Sequence, residues 1–279
     1  MSARCVRQDA LADLADIPAT SRWVRNGDVR LHVLDYGGSG VPLVVLPGIT
    51  SPAITMDFVA RELRDLVRPI VVDVRGRGLS DSGPSYSLAD YASDTLAVLD
   101  GLPGIGTDPL LLGHSMGARI AAVTATMRPL RGTVLVDPPM SGSGRGPYPT
   151  TLAAFLGQLD EARRGTDADE VAQAWPRWPR REQELRARWL SSCDPEAIRA
   201  THEGFETEDF VDTWPSVPAP ATLLYGADSP VVTAEGAEEA AKANPGASMT
   251  EIPDAGHMVF WDNPPAALSL LRESLGAMT

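Results

Sequence analysis

The chain of 279 residues is predicted to form an α/β fold: a mostly parallel, doubly wound sheet with a helical cap insertion. Three observations predict it. Apolar runs without alternation are typical of strands buried on both faces of a parallel sheet. Helix-forming stretches separate these runs, and such alternation is typical of βαβ units. Residues 140–214 contain helix-forming, arginine- and tryptophan-rich sequence without a strand-like run.

The first elements predict a β-hairpin. "RWVRN" and "VRLHVLDYG" flank Gly27 and Asp28, a dipeptide that supplies the positive φ of a tight turn. The predicted buried strands follow in the runs "VPLVVLPG", "RPIVVDVRG", "PLLLGHS" and "GTVLVDPP". The predicted helices between them are "MDFVARELRDL", "LADYASDTLAVLDGL" and "MGARIAAVTATM".

The strand pattern resumes after the insertion. "ATLLYGADSP" and "SMTEIPDAGH" indicate two more strands, and "NPPAALSLLRESLG" indicates a final helix with prolines in its first turn. We therefore expect a core from residues 1–139 and 215–279 and a helical cap from residues 140–214.

Composition narrows the possible partners. A net charge of -13 argues against nucleic acid and against anionic membrane surfaces. Two cysteines, Cys5 and Cys193, and four scattered histidines give neither a disulfide framework nor a metal-ligand spacing. The amino-terminal sequence lacks an apolar segment typical of a signal peptide or anchor. We expect a cytoplasmic protein without metal or cofactor.

Gly113 to Gly117, "GHSMG", match the G-x-S-x-G nucleophile elbow between a buried strand and a helix. The glycines let strand and helix approach closely enough for a strained turn at Ser115. The Ser115 hydroxyl is then exposed at the carboxyl edge of the sheet, beside the positive end of the following helix.

An acid, Asp137, follows the strand "GTVLV" and precedes two prolines. Either it is a polar group at the end of a strand, or its carboxylate is held at the sheet edge for chemistry. The local sequence leaves both interpretations open.

The order of the hairpin, the "LPG" loop, "DVRGRGLSD", "GHSMG" and the late "GH" resembles the α/β-hydrolase superfamily. The resemblance implies Ser115 as nucleophile and His257 as general base. It also implies an oxyanion hole formed by the backbone N–H groups of Ile49 and Met116. His114, next to the nucleophile, is interpreted as packing.

The position of the triad acid departs from the superfamily's common pattern. Most members carry the acid three residues after the glycine that ends the seventh strand, where this chain has Ser229 in "YGADSP". Asp228 lies one residue too early, and successive residues of a strand point to opposite faces. Asp137 is the alternative position that some members use, and it is favoured over Asp228.

The segments "PGITSPAIT", "DVRGRGLS", "GHSMGAR", "LVDPPMSG" and "RARWL" resemble the N-formylmaleamate deformylases of bacterial nicotinate breakdown. Related hydrolases of (E)-2-(acetamidomethylene)succinate share this plan. The resemblance implies hydrolysis of an N-acyl bond in a small unsaturated carboxylic acid. A non-hydrolytic binding protein and a cofactor-free oxygenase or lyase remain alternatives, because fold alone does not fix chemistry.

An anionic substrate of an acidic protein needs a local cation. The predicted candidates for substrate binding are arginines and one aromatic residue of the core and cap: Arg75, Arg119, Arg145, Arg186, Arg188 and Trp189. Tyr148 is interpreted as core or lid packing.

Overall fold

A computed structural model describes residues 11–279, so residues 1–10, which include Cys5, lie outside the described residues. Eight strands form one sheet in the order β1-β2-β4-β3-β5-β6-β7-β8. The strands are β1 (Thr20–Asn26), β2 (Val29–Asp35), β3 (Val41–Leu46), β4 (Val67–Val72), β5 (Leu110–His114), β6 (Gly132–Val136), β7 (Ala221–Gly226) and β8 (Ser248–Ile252).

The predicted hairpin and parallel sheet are confirmed. Strands β1 and β2 pair antiparallel around Gly27, whose φ is 57°. Strand β2 also pairs antiparallel with β4. Every pair from β4 through β8 is parallel. The carboxyl ends of these strands therefore meet at one edge, where ligands bind in open α/β sheets.

Helices cover both faces of the sheet and its carboxyl edge. The core helices are α1 (Asp57–Leu63), α2 (Leu88–Gly101) and α3 (Met116–Met127). Between β6 and β7 lie α4 (Leu152–Arg164), α5 (Ala168–Ala174), α6 (Arg180–Trp189), α7 (Pro195–Thr207) and α8 (Phe210–Thr213). The chain closes with α9 (Ala234–Ala243), α10 (Val259–Asp262) and α11 (Pro264–Gly276). The segment from β6 to β7 is thus helical, as the sequence predicts.

Two hydrophobic clusters explain the unbroken apolar strands. Val44 and Leu46 of β3 belong to one cluster, whereas Leu43 and Val45 belong to the other. Successive strand residues point to opposite faces, and helices pack on both faces here. Each central strand must therefore be apolar at every position.

Within the described residues, we find no helix that combines the length and the apolar character needed to cross a membrane.

Candidate active site

The turn between β5 and α3 holds Ser115 in a strained conformation, with φ 56° and ψ −120°. A Cβ atom on Gly113 would lie 2.1 Å from the carbonyl oxygen of Gly117, and one on Gly117 would lie 1.9 Å from the carbonyl oxygen of Leu46. Only hydrogen fits at either position. The two glycines therefore permit the approach of strand and helix that the turn requires.

Ser115, His257 and Asp137 form a hydrogen-bonded chain. The Ser115 hydroxyl lies 2.9 Å from Nε2 of His257, and Nδ1 of the same ring lies 2.6 Å from Oδ2 of Asp137. Ser115 and Asp137 are buried, and the His257 side chain is 18% exposed. With its proton on Nδ1, His257 can donate to Asp137 and accept the serine proton at Nε2.

Asp137 is held by three donors. Its Oδ2 accepts from the Ser229 hydroxyl at 2.6 Å as well as from His257, and its Oδ1 accepts from Gly226 N–H at 3.1 Å. Its own N–H donates to the Leu224 carbonyl, at a backbone φ of 48°. The alternative acid, Asp228, is exposed to solvent. The structure therefore brings Asp137, and not Asp228, to His257, while the residue at the common acid position supports Asp137.

The loop after β3 and the start of α3 both adjoin Ser115, since a Cβ atom on Gly48 would lie 3.4 Å from that of Ser115. Ile49 lies in the loop after β3, and Met116 is the first residue of α3. Within residues 11–279, neither N–H donates to a backbone carbonyl. Both amides are thus available to an oxyanion, as expected of unpaired N–H groups at a helix start.

A buried arginine that the sequence analysis passed over fixes the loop of Ile49. Nε of Arg77 donates to the Ile49 carbonyl at 3.0 Å, and Nη2 lies 3.5 Å from the sulfur of Met116. The same guanidinium donates to the Thr201 hydroxyl in α7 at 2.9 Å. Arg77 therefore links the loop of Ile49 and the start of α3 to a helix of the cap.

His114 does more than pack. Its Nε2 donates to the backbone carbonyl of His257 at 3.0 Å, and the two rings stack with centroids 5.3 Å apart. Burial, followed by the proximity of His257, lowers the pKa of His114 to about 3. His114 is therefore neutral near pH 7 and fixes the backbone that carries His257.

Tyr148 packs in the interior, as its interpretation as core or lid packing predicts, and its hydroxyl also reaches the site. Its hydroxyl lies 3.3 Å from Nε2 of His257. Its ring packs against Phe155, Phe205 and His202, with centroids 6.2, 4.8 and 6.1 Å away. The sequence offers one weak signal, since prolines flank Tyr148 in "GPYP" a few residues after the acid loop.

Three predicted substrate-binding residues have other partners. Arg145 forms salt bridges with Asp209 at 2.6 Å and Glu239 at 2.7 Å. Arg188 pairs with Asp13 at 2.5 Å, and the indole N–H of Trp189 donates to the same carboxylate at 2.8 Å. Carboxylates of the protein therefore bind these three side chains in the structure, and their role in substrate binding stays a prediction.

Arg75 is likewise neutralised, since it forms a double hydrogen bond with Asp94 at 2.5 and 2.7 Å. Arg186 is buried in the cap, donates to the Gln158 side chain at 2.9 Å and lies over the ring of Trp175. Neither contacts the triad.

Arg119 is a buried cation that donates to main-chain carbonyls. It donates to Ser141 at 3.0 Å, Glu208 at 2.5 Å and Gly204 at 3.3 Å, and its Nε has no partner within the described residues. Burial lowers its pKa to about 10. Arg119 lies one helical turn after Ser115, so its positive charge acts near the site.

The mostly parallel sheet of eight strands and the sharp turn at Ser115 between β5 and α3 are typical of the α/β hydrolase fold. A family model described as the alpha/beta hydrolase family matches residues 43–269. The chain therefore belongs to the α/β hydrolase family and is a hydrolase.

Two curated relatives cover most of the chain. N-formylmaleamate deformylase of Pseudomonas putida is 38% identical over 255 residues, which are 87% of this chain and 93% of that protein. The 2-(acetamidomethylene)succinate hydrolase of Mesorhizobium japonicum is 28% identical and covers 96% of this chain and 100% of that protein. A crystal structure of the N-formylmaleamic acid deformylase from Pseudomonas putida S16 superposes with a TM-score of 0.84 at 36% identity, covering 90% of this chain and 100% of that chain.

Proposed function

We propose that this protein hydrolyses the N-formyl amide bond of N-formylmaleamate and releases formate and maleamate. The hydrogen-bonded chain from Ser115 through His257 to Asp137 carries the proposed reaction type. The substrate is proposed from the similarity to the deformylase of Pseudomonas putida.

In the first half of the proposed reaction, Nε2 of His257 accepts the proton of Ser115 while the serine oxygen attacks the formyl carbon. The negative charge that develops on the formyl oxygen is stabilised by the N–H groups of Ile49 and Met116. Each such donor is typically worth about 3 to 4 kcal/mol of transition-state stabilisation. Asp137 stabilises the imidazolium that forms, at a distance of 2.6 Å.

In the second half, the carbon–nitrogen bond breaks and the imidazolium of His257 gives its proton to the departing nitrogen. Maleamate leaves, and the formyl group stays on Ser115 as an ester. Water, deprotonated by His257, then attacks this ester. The bond between the formyl carbon and the serine oxygen breaks, His257 returns the proton to that oxygen, and formate leaves. The protein's own side chains and amides supply every proton transfer and hydrogen bond in this sequence.

The carboxylate of the substrate requires a positive charge near the site. Among the arginines predicted for this role, Arg119 is the one that combines burial close to Ser115 with acceptors that are neutral carbonyls. We assign it the electrostatic attraction of the substrate, because a charge buried in a low-dielectric surrounding acts strongly on its neighbours. The carboxylates of Glu208 and Asp209 also lie within the electrostatic range of this guanidinium.

The test measures formate release from N-formylmaleamate and acetate release from 2-(acetamidomethylene)succinate by the same preparation. We expect the formyl compound to be turned over at least about 100-fold faster, as a pocket difference of about 3 kcal/mol would give. Equal rates under nitrogen and air would exclude an oxygenase. The reverse substrate preference, or no formate release, would contradict the proposal.

A further inference from the structure

The Tyr148 hydroxyl is a hydrogen-bond donor that interacts with both Ser115 and His257. Its contact with Nε2 of His257 is 3.3 Å long, beyond the 2.7 to 2.8 Å typical of a hydroxyl donor. That nitrogen already accepts from Ser115 at 2.9 Å. Because its partners are the two residues that exchange a proton in the proposed reaction, the Tyr148 hydroxyl is placed to donate to a reacting group that enters the site.

The position of this hydroxyl is rigidly fixed. Four aromatic rings surround the tyrosine, with centroids between 4.8 and 6.3 Å away: Phe155, His202, Phe205 and His257. The backbone N–H of Tyr148 donates to the Glu206 side chain at 2.9 Å. The Tyr148 side chain therefore loses little additional conformational entropy when its hydroxyl binds a reacting group.

The hydroxyl also keeps its proton. Burial raises the pKa of Tyr148 above its ordinary value, and the negative charge of Asp137 raises it further. A neutral phenol donates a hydrogen bond to an oxygen that gains negative charge, which a phenolate does not do.

The proposed substrate develops such an oxygen. When the bond between the formyl carbon and nitrogen breaks, the electron pair of that bond moves to the nitrogen of a primary amide. The charge is shared with the carbonyl oxygen of that amide. His257 delivers its proton to the nitrogen from Nε2, so a donor beside Nε2 lies on the leaving-group side. The amides of Ile49 and Met116 serve the formyl oxygen instead.

We propose that Tyr148 is a further catalytic residue, which donates a hydrogen bond to the carbonyl oxygen of the departing amide and stabilises its developing charge. This inference rests on the proposed function. The bond that breaks is the formyl carbon–nitrogen bond, His257 supplies the proton to nitrogen, and Tyr148 retains its own. The chain thereby has two sets of donors, one for each carbonyl of an N-formyl amide.

Tyr148→Phe removes this donor and keeps the ring. For N-formylmaleamate we expect kcat to fall about 10- to 100-fold with little change in KM, as for a hydrogen bond to a charged group. For 4-nitrophenyl formate, whose leaving group needs no such help, we expect a change of less than about threefold. Tyr86→Phe is the matched control, since it removes another buried hydroxyl, one that is bonded to Asp194 at 3.1 Å and not to the triad. Its kcat should stay near that of the wild type on both substrates.

A series of formyl compounds with leaving groups of decreasing acidity extends the test. The rate of Tyr148→Phe should fall increasingly below that of the wild type along the series. Equal losses on the amide and the ester would overturn the inference in favour of a structural role. A raised KM with unchanged kcat would overturn the inference in favour of substrate binding. An unaltered rate on the amide would also overturn it, because the hydroxyl would then play no part in the reaction. If the wild type itself releases no formate from N-formylmaleamate, the proposed function fails instead.

Discussion

Replacing Asp137 by Asn tests the arrangement of the triad through the tautomer of His257. The Gly226 N–H can only donate, so it holds the single amide oxygen of the new side chain where Oδ1 now accepts at 3.1 Å. The NH2 group then faces Nδ1 of His257, which is 2.6 Å from Oδ2 in the wild type. An NH2 donor at that place forces the imidazole proton onto Nε2.

In that tautomer His257 donates to Ser115 and no longer accepts its proton. We expect kcat for formate release to fall by about 10⁴-fold, the loss measured for the corresponding change in serine proteases. This corresponds to about 5.4 kcal/mol of activation free energy. The side chains have the same shape, so far-ultraviolet circular dichroism should not change.

Asp228→Asn is the matched control, because it makes the same chemical change at an exposed residue on the neighbouring loop. Its kcat should stay within about twofold of the wild type, as surface substitutions are usually mild. A crippling loss in Asp228→Asn, combined with near-normal turnover in Asp137→Asn, would refute the assignment of Asp137 and return it to a polar group at the end of a strand.

Three further substitutions test other parts of the account. Gly117→Ala should prevent folding or lower the unfolding temperature steeply, because its Cβ would lie 1.9 Å from a backbone oxygen; a soluble variant with wild-type unfolding temperature and turnover would contradict the packing argument. Arg145→Ala should cost at most about 1 kcal/mol of unfolding free energy, as expected for a partly exposed ion pair, and leave KM for N-formylmaleamate unchanged; a large rise in KM would restore Arg145 as a substrate ligand. His114→Gln should reduce the loss of stability on acidification. His114 stays neutral in the folded protein down to about pH 3, whereas the unfolded chain binds a proton there below about pH 6.5. Between these two pH values the free energy of unfolding of the wild type therefore falls by up to about 1.36 kcal/mol per pH unit on acidification. Urea unfolding from pH 6.5 to pH 4 should give a shallower slope in the variant, and equal slopes would show that His114 does not titrate in this way.

The sheet and the elbow could be predicted because their determinants are local. A strand buried on both faces must be apolar at every position, so an unbroken apolar run in the sequence predicts such a strand. The glycines of the elbow are dictated by contacts within five residues and with the adjoining strand. The helix α9 was not predicted, although its alanine-rich sequence "AEGAEEAAKA" is typical of helix formers.

The partners of the arginines depend on residues that are distant in sequence. Arg145 forms a salt bridge with Glu239, which is 94 positions away in sequence, and no local sequence pattern specifies that pair. The sequence therefore does not distinguish the candidate arginines of the cap from one another, and only the structure shows which partner each one binds. The contact of the Tyr148 hydroxyl with His257 could not be predicted for the same reason, because the two residues are 109 positions apart in sequence.

The position of the triad acid, Asp137, was predicted from the sequence, whereas its contacts were not. The resemblance to the superfamily gave two positions for the acid, and alternation along the strand favoured one. The conformation that presents the carboxylate, with φ 48°, and the support from Ser229 at 2.6 Å require the sheet to be assembled. Sequence reasoning thus reached the residue without the contacts that hold it.

The rate of formate release by Ser115→Ala tests the central claim most directly, namely that Ser115 is the nucleophile of a hydrolase acting on the N-formyl bond. The substitution removes one oxygen and fits the strained turn, so the variant should fold as the wild type does. We predict that kcat falls by at least about 10⁴-fold, because binding and the oxyanion donors alone give only residual catalysis. A folded Ser115→Ala enzyme that retains turnover within about tenfold of the wild type would contradict the account, since no formyl ester could then form on this residue.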